Sequence, residues 1–215
     1  MGEPDLSLWE TRFERFAAQS AADAAHGLSH IHRVVDSARG LAVSEGARQA
    51  VVIPAAWLHD CVAVSKDDPR RDSASAAAAR TAGEFLRGCG YPASEIPEIE
   101  HAIEAHSFSA GVAPRTPEAG VVRDADRLDA LGAIGIARAM MLGGAMEREL
   151  YDPGEPFPRT RTPEDAAYVL DHFYTKLLGL ADEMKTEAGR DEAGRRTSFM
   201  LEYLRQLGRE IGHEP

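Results

Sequence analysis

The sequence has only two cysteines in 215 residues, Cys61 and Cys89. That excludes a disulfide framework. Cys61 directly follows a His-Asp pair inside an apolar stretch and is expected to be a buried thiol. No apolar run approaches the roughly 20 residues that a membrane-spanning helix needs. No basic start followed by an apolar run opens the chain, so the expectation is a cytoplasmic protein. Basic residues are also short: 24 Lys and Arg stand against 35 Asp and Glu, giving a formal net charge of -11. An acidic surface repels nucleic-acid backbones and anionic membranes, so neither a nucleic acid polymer nor a membrane is expected as a partner. Small anionic substrates remain open, because a metal ion can invert the field of a pocket. Period-two alternation is missing too, as is any internal repeat, which speaks against a β fold.

What is present reads as helix. Ser7 and Glu10 offer a capping box, with Trp9, Phe13 and Phe16 on one face behind it. Residues 26–29 form a loop leading into a helix that carries Ile31, Val34, Val35, Ala38 and Leu41, with Gly46 just beyond its end. The stretch from Ala50 to Val64 is apolar nearly all round, as a buried helix is. Pro54 inside it predicts a kink or a break, since proline removes one helical hydrogen bond. A charged loop, Ser65 to Asp72, precedes an alanine-rich helix from Ser73 to about Cys89, which Gly90 stops. Pro97 starts another helix, which ends at His106. Ala119 to Gly143 reads as helix with a break near Asp129. Thr162-Pro163 caps a long amphipathic helix carrying Tyr168, Val169, Phe173, Leu177 and Leu180. That helix has a face a homodimer could use, although an intramolecular core would use it as well. A last helix is expected from about Glu192 to Ile211.

Four positions stand out chemically: His30, the adjacent pair His59-Asp60, and Asp126 within Asp124-Ala125-Asp126-Arg127-Leu128-Asp129. Burying His59 and Asp60 beside Trp57 and Leu58 is costly unless both are paired or bind a metal. Two imidazoles and two carboxylates suit a divalent ion: manganese, magnesium, nickel, cobalt, iron or zinc. Phosphate-ester hydrolysis needs charge neutralisation on the phosphoryl oxygens and a hydroxide near neutral pH, and a metal supplies both. Each signal alone is weak. A His-Asp dipeptide is common by chance, a single buried histidine is usually a satisfied core residue, and an Asp-rich hexapeptide is usually a cap or a solvated turn. Order and spacing raise the reading: His, then His-Asp about thirty residues later, then Asp well downstream, all on helical segments.

The segments HGLSHIHRVV (26–35), AAWLHDCVAVSKDDPRR (55–71), HAIEAHSFS (101–109) and DADRLDALGAIGIAR (124–138) resemble the HD-domain superfamily of metal-dependent phosphohydrolases. More narrowly, they resemble its small bacterial branch of predicted HD hydrolases, and DHFYTKLLGLADEMKTEAGR (171–190) is similar to that branch too. The resemblance implies an all-α bundle around a single metal site, formed by a single domain over 1–215. Its metal-binding core would lie at about 20–145, with a C-terminal helical part at about 146–215 packing on it. It implies His30, His59, Asp60 and Asp126 as ligands, with Asp60 also orienting or deprotonating the attacking water. His30 occupies the His-x-x-Arg-Val position, while His26 and His32 stay open.

Asp124 would either orient a ligand or face solvent. His106 is the candidate for phosphate contact or proton transfer, against the alternative of a histidine favoured by a helix C-terminus. His26, Lys66, Arg70, Arg127 and Lys176 are candidates for substrate contact, as more weakly are Arg71 and Arg195. The implied substrate is a small phosphorylated compound, most simply a nucleotide cleaved at a phosphomonoester or pyrophosphate bond. Ala63 and Val64 replace the Glu-Asp pair of (p)ppGpp hydrolases, and no Gly-Tyr-Pro signature of cyclic-di-GMP phosphodiesterases follows. A di-iron oxygenase would need His101 and His106, which do not share a helical face. A noncatalytic ligand-binding module is the remaining alternative.

Overall fold

The computed structural model of the chain describes residues 4–20, 27–62 and 73–215. Among them the fold is all-α. No strand forms, and the one extended pairing is an isolated parallel bridge between Glu149 and Tyr168. No single helix is long and apolar enough to cross a membrane. The helices are α1 (Leu6–Ser20), α2 (Leu28–Glu45), α3 (Gln49–Leu58), α4 (Ala74–Cys89), α5 (Ile96–His106), α6 (Pro117–Leu128), α7 (Gly132–Ala145), α8 (Asp171–Thr175) and α9 (Glu187–Ile211), with a 3-10 helix at Leu177–Glu183. The chain divides into two compact units: residues 1–126 with 185–188, and residues 127–184 with 189–215.

In the first unit α3 is the central helix. Every residue from Ala50 to Leu58 is buried, and α1, α2, α4 and α5 all pack on it. Asp5 rather than Ser7 caps α1: its carboxylate accepts from the Ser7 backbone N–H at 3.1 Å. Trp9, Phe13 and Phe16 meet Phe85 and Tyr91, with Trp9 edge-on to Tyr91 at 5.0 Å and Phe16 stacked on Phe85 at 4.0 Å.

Pro54 neither ends nor divides α3, contrary to the expected break. The carbonyl that would have accepted its missing N–H is that of Ala50, four residues back. The Tyr91 hydroxyl donates to that carbonyl at 2.6 Å. The turn that places Tyr91 there is the end of α4, where Gly90 takes φ +81°, a left-handed value that a side chain disfavours. Burial and the nearby Glu95 charge push the Tyr91 phenol above its ordinary value, so it stays a donor.

Asp124 does neither of the things foreseen for it. It is fully buried, and its carboxylate accepts from the backbone N–H groups of Lys185 and Thr186 and from the Thr186 hydroxyl at 2.7–3.0 Å. It anchors the start of α9, where the Ala188 N–H donates to Glu45 at 2.7 Å.

In the second unit the expected long helix from Thr162 does not form. Residues 165–170 make turns and the bridge to Glu149, followed by the five-residue α8 and the 3-10 helix. The backbone N–H groups of Val169 and Leu170 are drawn to the carbonyls of Glu149 and Leu150 at 2.9 and 3.0 Å, which diverts them from helical partners. The apolar residues are nonetheless inward: Val169, Leu170, Phe173, Leu177 and Leu180 are buried in this unit's core. The expected break near Asp129 is present. Arg138 holds the Asp129 carboxylate at 2.6 Å, and Arg196 donates to the Leu128 carbonyl at 2.6 Å.

Candidate metal centre

The first unit brings five side chains to one point: His30, His59, Asp60, His106 and Asp126. His59 follows the last residue of α3, where the final carbonyls have no intrahelical partner. Its Nδ1 donates to one of them, that of Ala56, at 2.7 Å. This fixes the tautomer and leaves the lone pair on Nε2. His106 repeats the arrangement as the last residue of α5, with its Nδ1 against the Ile103 carbonyl at 2.6 Å. His30 comes from the first turn of α2 and Asp126 from α6.

His59 Nε2 lies 3.5 Å from Asp60 Oδ2 and 3.9 Å from Asp126 Oδ1. His30 Nε2 lies 3.5 Å from Asp126 Oδ1 and 4.0 Å from Asp60 Oδ2. Asp60 Oδ1 faces His106 Nε2 at 3.6 Å. Candidate ligand atoms of His30, His59 and Asp60 all fall within 4.8 Å of one another, a cluster that could hold a metal ion.

These separations are long for hydrogen bonds but right for atoms sharing one ion. Ligands at about 2.0–2.2 Å from a cation stand roughly 3–4 Å apart. His59 Nε2 is buried and has no hydrogen-bond partner among the described residues, a costly state that coordination would remove. The imidazoles are buried, whereas Asp60 and Asp126 keep 28% and 31% of their side chains exposed, which leaves an open side. The residues therefore fit a divalent ion with positions left for water or a phosphate oxygen.

The charges are tuned accordingly. Burial pushes the His59 pKa below its ordinary value against the pull of the Asp60 carboxylate, which favours the neutral form a metal needs. Burial would raise Asp126, but His30 beside it and the nearby His106 charge hold its carboxyl far below the usual range. Burial pulls His106 down, and the Asp60 carboxylate more than offsets this, so His106 stays protonated to higher pH than a free histidine. Burial and the nearby Asp60 charge push the Cys61 thiol up to about 12; its Sγ is buried against the Ala78 carbonyl at 3.4 Å. That is the buried thiol expected from the sequence, and one this hard to ionise is inert.

The remaining candidates fall elsewhere. His32 is exposed and pairs with Glu14 at 3.0 Å. His101 lies outside the cluster, and its Nε2 accepts the Arg115 backbone N–H at 3.0 Å. His26, Lys66, Arg70 and Arg71 lie outside the described residues. Arg127 and Lys176 belong to the second unit. There Arg127 is buried, with its Nε 3.8 Å from Glu183, and Lys176 is exposed. Arg195 pairs with Glu192 at 2.6 Å. The carbonyls of Ala56 and Ile103, which set both histidines, were not foreseen. The available signal was that each histidine ends an apolar helical stretch.

A family model described as the HD domain matches residues 27–131, a span that includes His30, His59, Asp60, His106 and Asp126. The chain is also 36% identical over 190 residues, 86% of its length and 84% of the relative's, to the uncharacterized protein YpgQ of Bacillus subtilis strain 168. It belongs to the HD-domain family.

Solved HD-type structures agree in fold. The crystal structure of Bacillus subtilis YpgQ in complex with ADP superposes with a TM-score of 0.72 at 33% identity, covering 94% of this chain and 97% of that one. An HD-superfamily hydrolase from Bacillus thuringiensis gives 0.71 at 32% identity, covering 94% and 98%. A predicted HD-superfamily hydrolase from an uncultured Thermotogales bacterium gives 0.63 at 25% identity, covering 95% and 92%.

Proposed function

We propose that this HD protein is a metal-dependent phosphohydrolase acting on a small phosphorylated compound, specifically a nucleotide. The observation that carries the reading is His59 Nε2: buried, fixed in its tautomer by Ala56, without a hydrogen-bond partner among the described residues, and 3.5 Å from Asp60. His30, His59, Asp60 and Asp126 are the proposed ligands. A divalent ion held there would neutralise charge on phosphoryl oxygens and acidify a water. Asp60 Oδ1 and His106 Nε2 are close enough to pass a proton between attacking water and leaving group, and a protonated His106 would also attract the phosphate. The ADP bound to YpgQ supports the nucleotide.

The test is hydrolysis by metal-stripped protein re-supplied with manganese, magnesium, nickel, cobalt, iron or zinc. The panel is nucleoside and deoxynucleoside mono- and triphosphates and an aryl phosphate. Turnover should return with metal and fall at least about a hundredfold in Asp60→Ala, since even residues behind a ligand are worth 10–100-fold. Release of phosphate or pyrophosphate identifies the bond. Turnover no higher than that of the Asp60 variant with every metal would sink the proposal.

A further inference from the structure

α5 ends at His106, and the histidine lays its ring over that end. Its Nδ1 meets the carbonyl of Ile103 at 2.6 Å, one of the last carbonyls, which point out along the helix axis. Nε2, on the far side of the ring, faces Asp60 Oδ1 at 3.6 Å. The chain leaves α5 from the same end. Phe108 comes two residues later, so its Cα lies within about 7 Å of the His106 Cα. The His/Asp cluster and Phe108 are therefore neighbours at one end of α5.

Phe108 is 73% exposed, more than any other large apolar side chain among the described residues. Trp9, Phe13, Phe16, Phe85 and Tyr91 of the same unit pack against one another instead. A lone apolar side chain in water is ordinary, but this one is held there by an ordered turn. The Ser107 and Ser109 hydroxyls meet at 3.1 Å on one side of the loop, which leaves the Phe108 ring to the other. The Gly111 N–H donates to the Phe108 carbonyl at 3.3 Å, and Gly111 closes the turn at φ +64°, a value that a side chain disfavours. A bare aromatic face offset from a cation site suits a ligand that carries phosphate at one end and an aromatic ring at the other. Bases stack on such faces, and a turn that is already ordered loses little freedom when they do.

We propose that Phe108 is a stacking platform for the base of a nucleotide whose phosphates bind at the His/Asp cluster. It rests on the phosphohydrolase reading for its role in a substrate complex, and it deepens that reading by naming the residue that holds the base. Every base has a π face, so the platform selects for the presence of a base without reading which one it is. Phe108 binds the substrate and takes no part in bond breaking.

The test is calorimetric titration of manganese-loaded protein with two probes that share a non-hydrolysable phosphate part. One is adenosine α,β-methylene diphosphate, and the other is methylene diphosphonate, which has no base. Wild type should bind the nucleotide analogue more tightly. Phe108→Ala should lose about fivefold to a hundredfold in affinity for it, the range for one stacked base. Its affinity for methylene diphosphonate, its manganese content and its melting temperature should hold, since the side chain already stands in water. Phe108→Tyr keeps the ring and should keep the affinity, whereas Phe108→Leu keeps only apolar bulk and should fall with Phe108→Ala. Unchanged binding of the nucleotide analogue by Phe108→Ala overturns the platform. An equal loss for both probes overturns it too, because the loop would then be acting through His106. So does a Phe108→Leu variant that binds as tightly as wild type. A ring-dependent preference without turnover on the nucleotide panel would retain the platform and remove the hydrolase. Turnover with unchanged Phe108→Ala binding would do the reverse.

Discussion

Two of the places where the described residues bury charge treat it in opposite ways. In the second unit Asp171 is fully buried and completely answered. Arg161 grips it with two guanidinium nitrogens at 2.5 and 2.6 Å, and the Glu164 backbone N–H adds a third bond at 2.6 Å. In the first unit the His/Asp cluster stands at 3.5–4.0 Å spacings, with His59 Nε2 buried and without a hydrogen-bond partner among the described residues. Satisfied buried charge holds a fold together, whereas under-satisfied buried polarity is tolerated where something else is meant to bind. The pair predicts opposite mutational behaviour. Asp171→Ala should lower stability by about 3–5 kcal/mol, because it leaves the Arg161 charge without its partner. Asp60→Ala in the metal-free protein should change stability by no more than about 1 kcal/mol while abolishing metal uptake. Denaturant unfolding of both variants decides: similar losses would erase the distinction.

A satisfied group inside the first unit sharpens the comparison at smaller cost. The Ala50 carbonyl is orphaned by Pro54 and answered by Tyr91. Tyr91→Phe should cost about 1–3 kcal/mol, the price of a buried acceptor left without a donor. In a Pro54→Ala background residue 54 has an N–H to give Ala50, so the same change should cost much less. An equal cost in the two backgrounds would mean that Tyr91 contributes packing and not the missing hydrogen bond.

These cases show which parts of the molecule were legible in the sequence. The His59-Asp60 pair ending an apolar run, and the glycines Gly46 and Gly90 that stop α2 and α4, are local signals, and the fold follows them. The segment after Thr162 was misread because its apolar spacing suits a helix equally well. Backbone pairing with Glu149 and Leu150, and the grip of Arg161 on Asp171, are tertiary facts that redirect it. Asp124 was misread for the same reason: its donors, Lys185 and Thr186, lie some sixty residues on. The proline in α3 looked like a break because its remedy, Tyr91, comes from another helix end.

The smallest effect lies where satisfied charge is still partly wet. Arg48, 43% exposed, meets Glu95 at 2.9 Å and Glu118 at 3.1 Å, and also Glu98. The Arg48 backbone N–H gives Glu118 another bond at 3.2 Å. Burial would raise the Glu118 carboxyl, but these bonds and the Arg48 charge hold it below its ordinary 4.5. A carboxyl whose folded value is depressed adds stability that is fully present above the unfolded value and is lost as pH falls through the folded one. Glu118→Gln keeps an acceptor for both Arg48 donors and removes only the charge. It should cost about 0.5 kcal/mol near neutrality, the scale of a solvent-screened pair. Protonated glutamic acid and glutamine are close equivalents, so the two stability curves should converge as pH drops below the ordinary value of 4.5. Curves that stay parallel into the acid would show that Arg48 draws nothing from this charge, and that Glu118 belongs with groups held by hydrogen bonds alone.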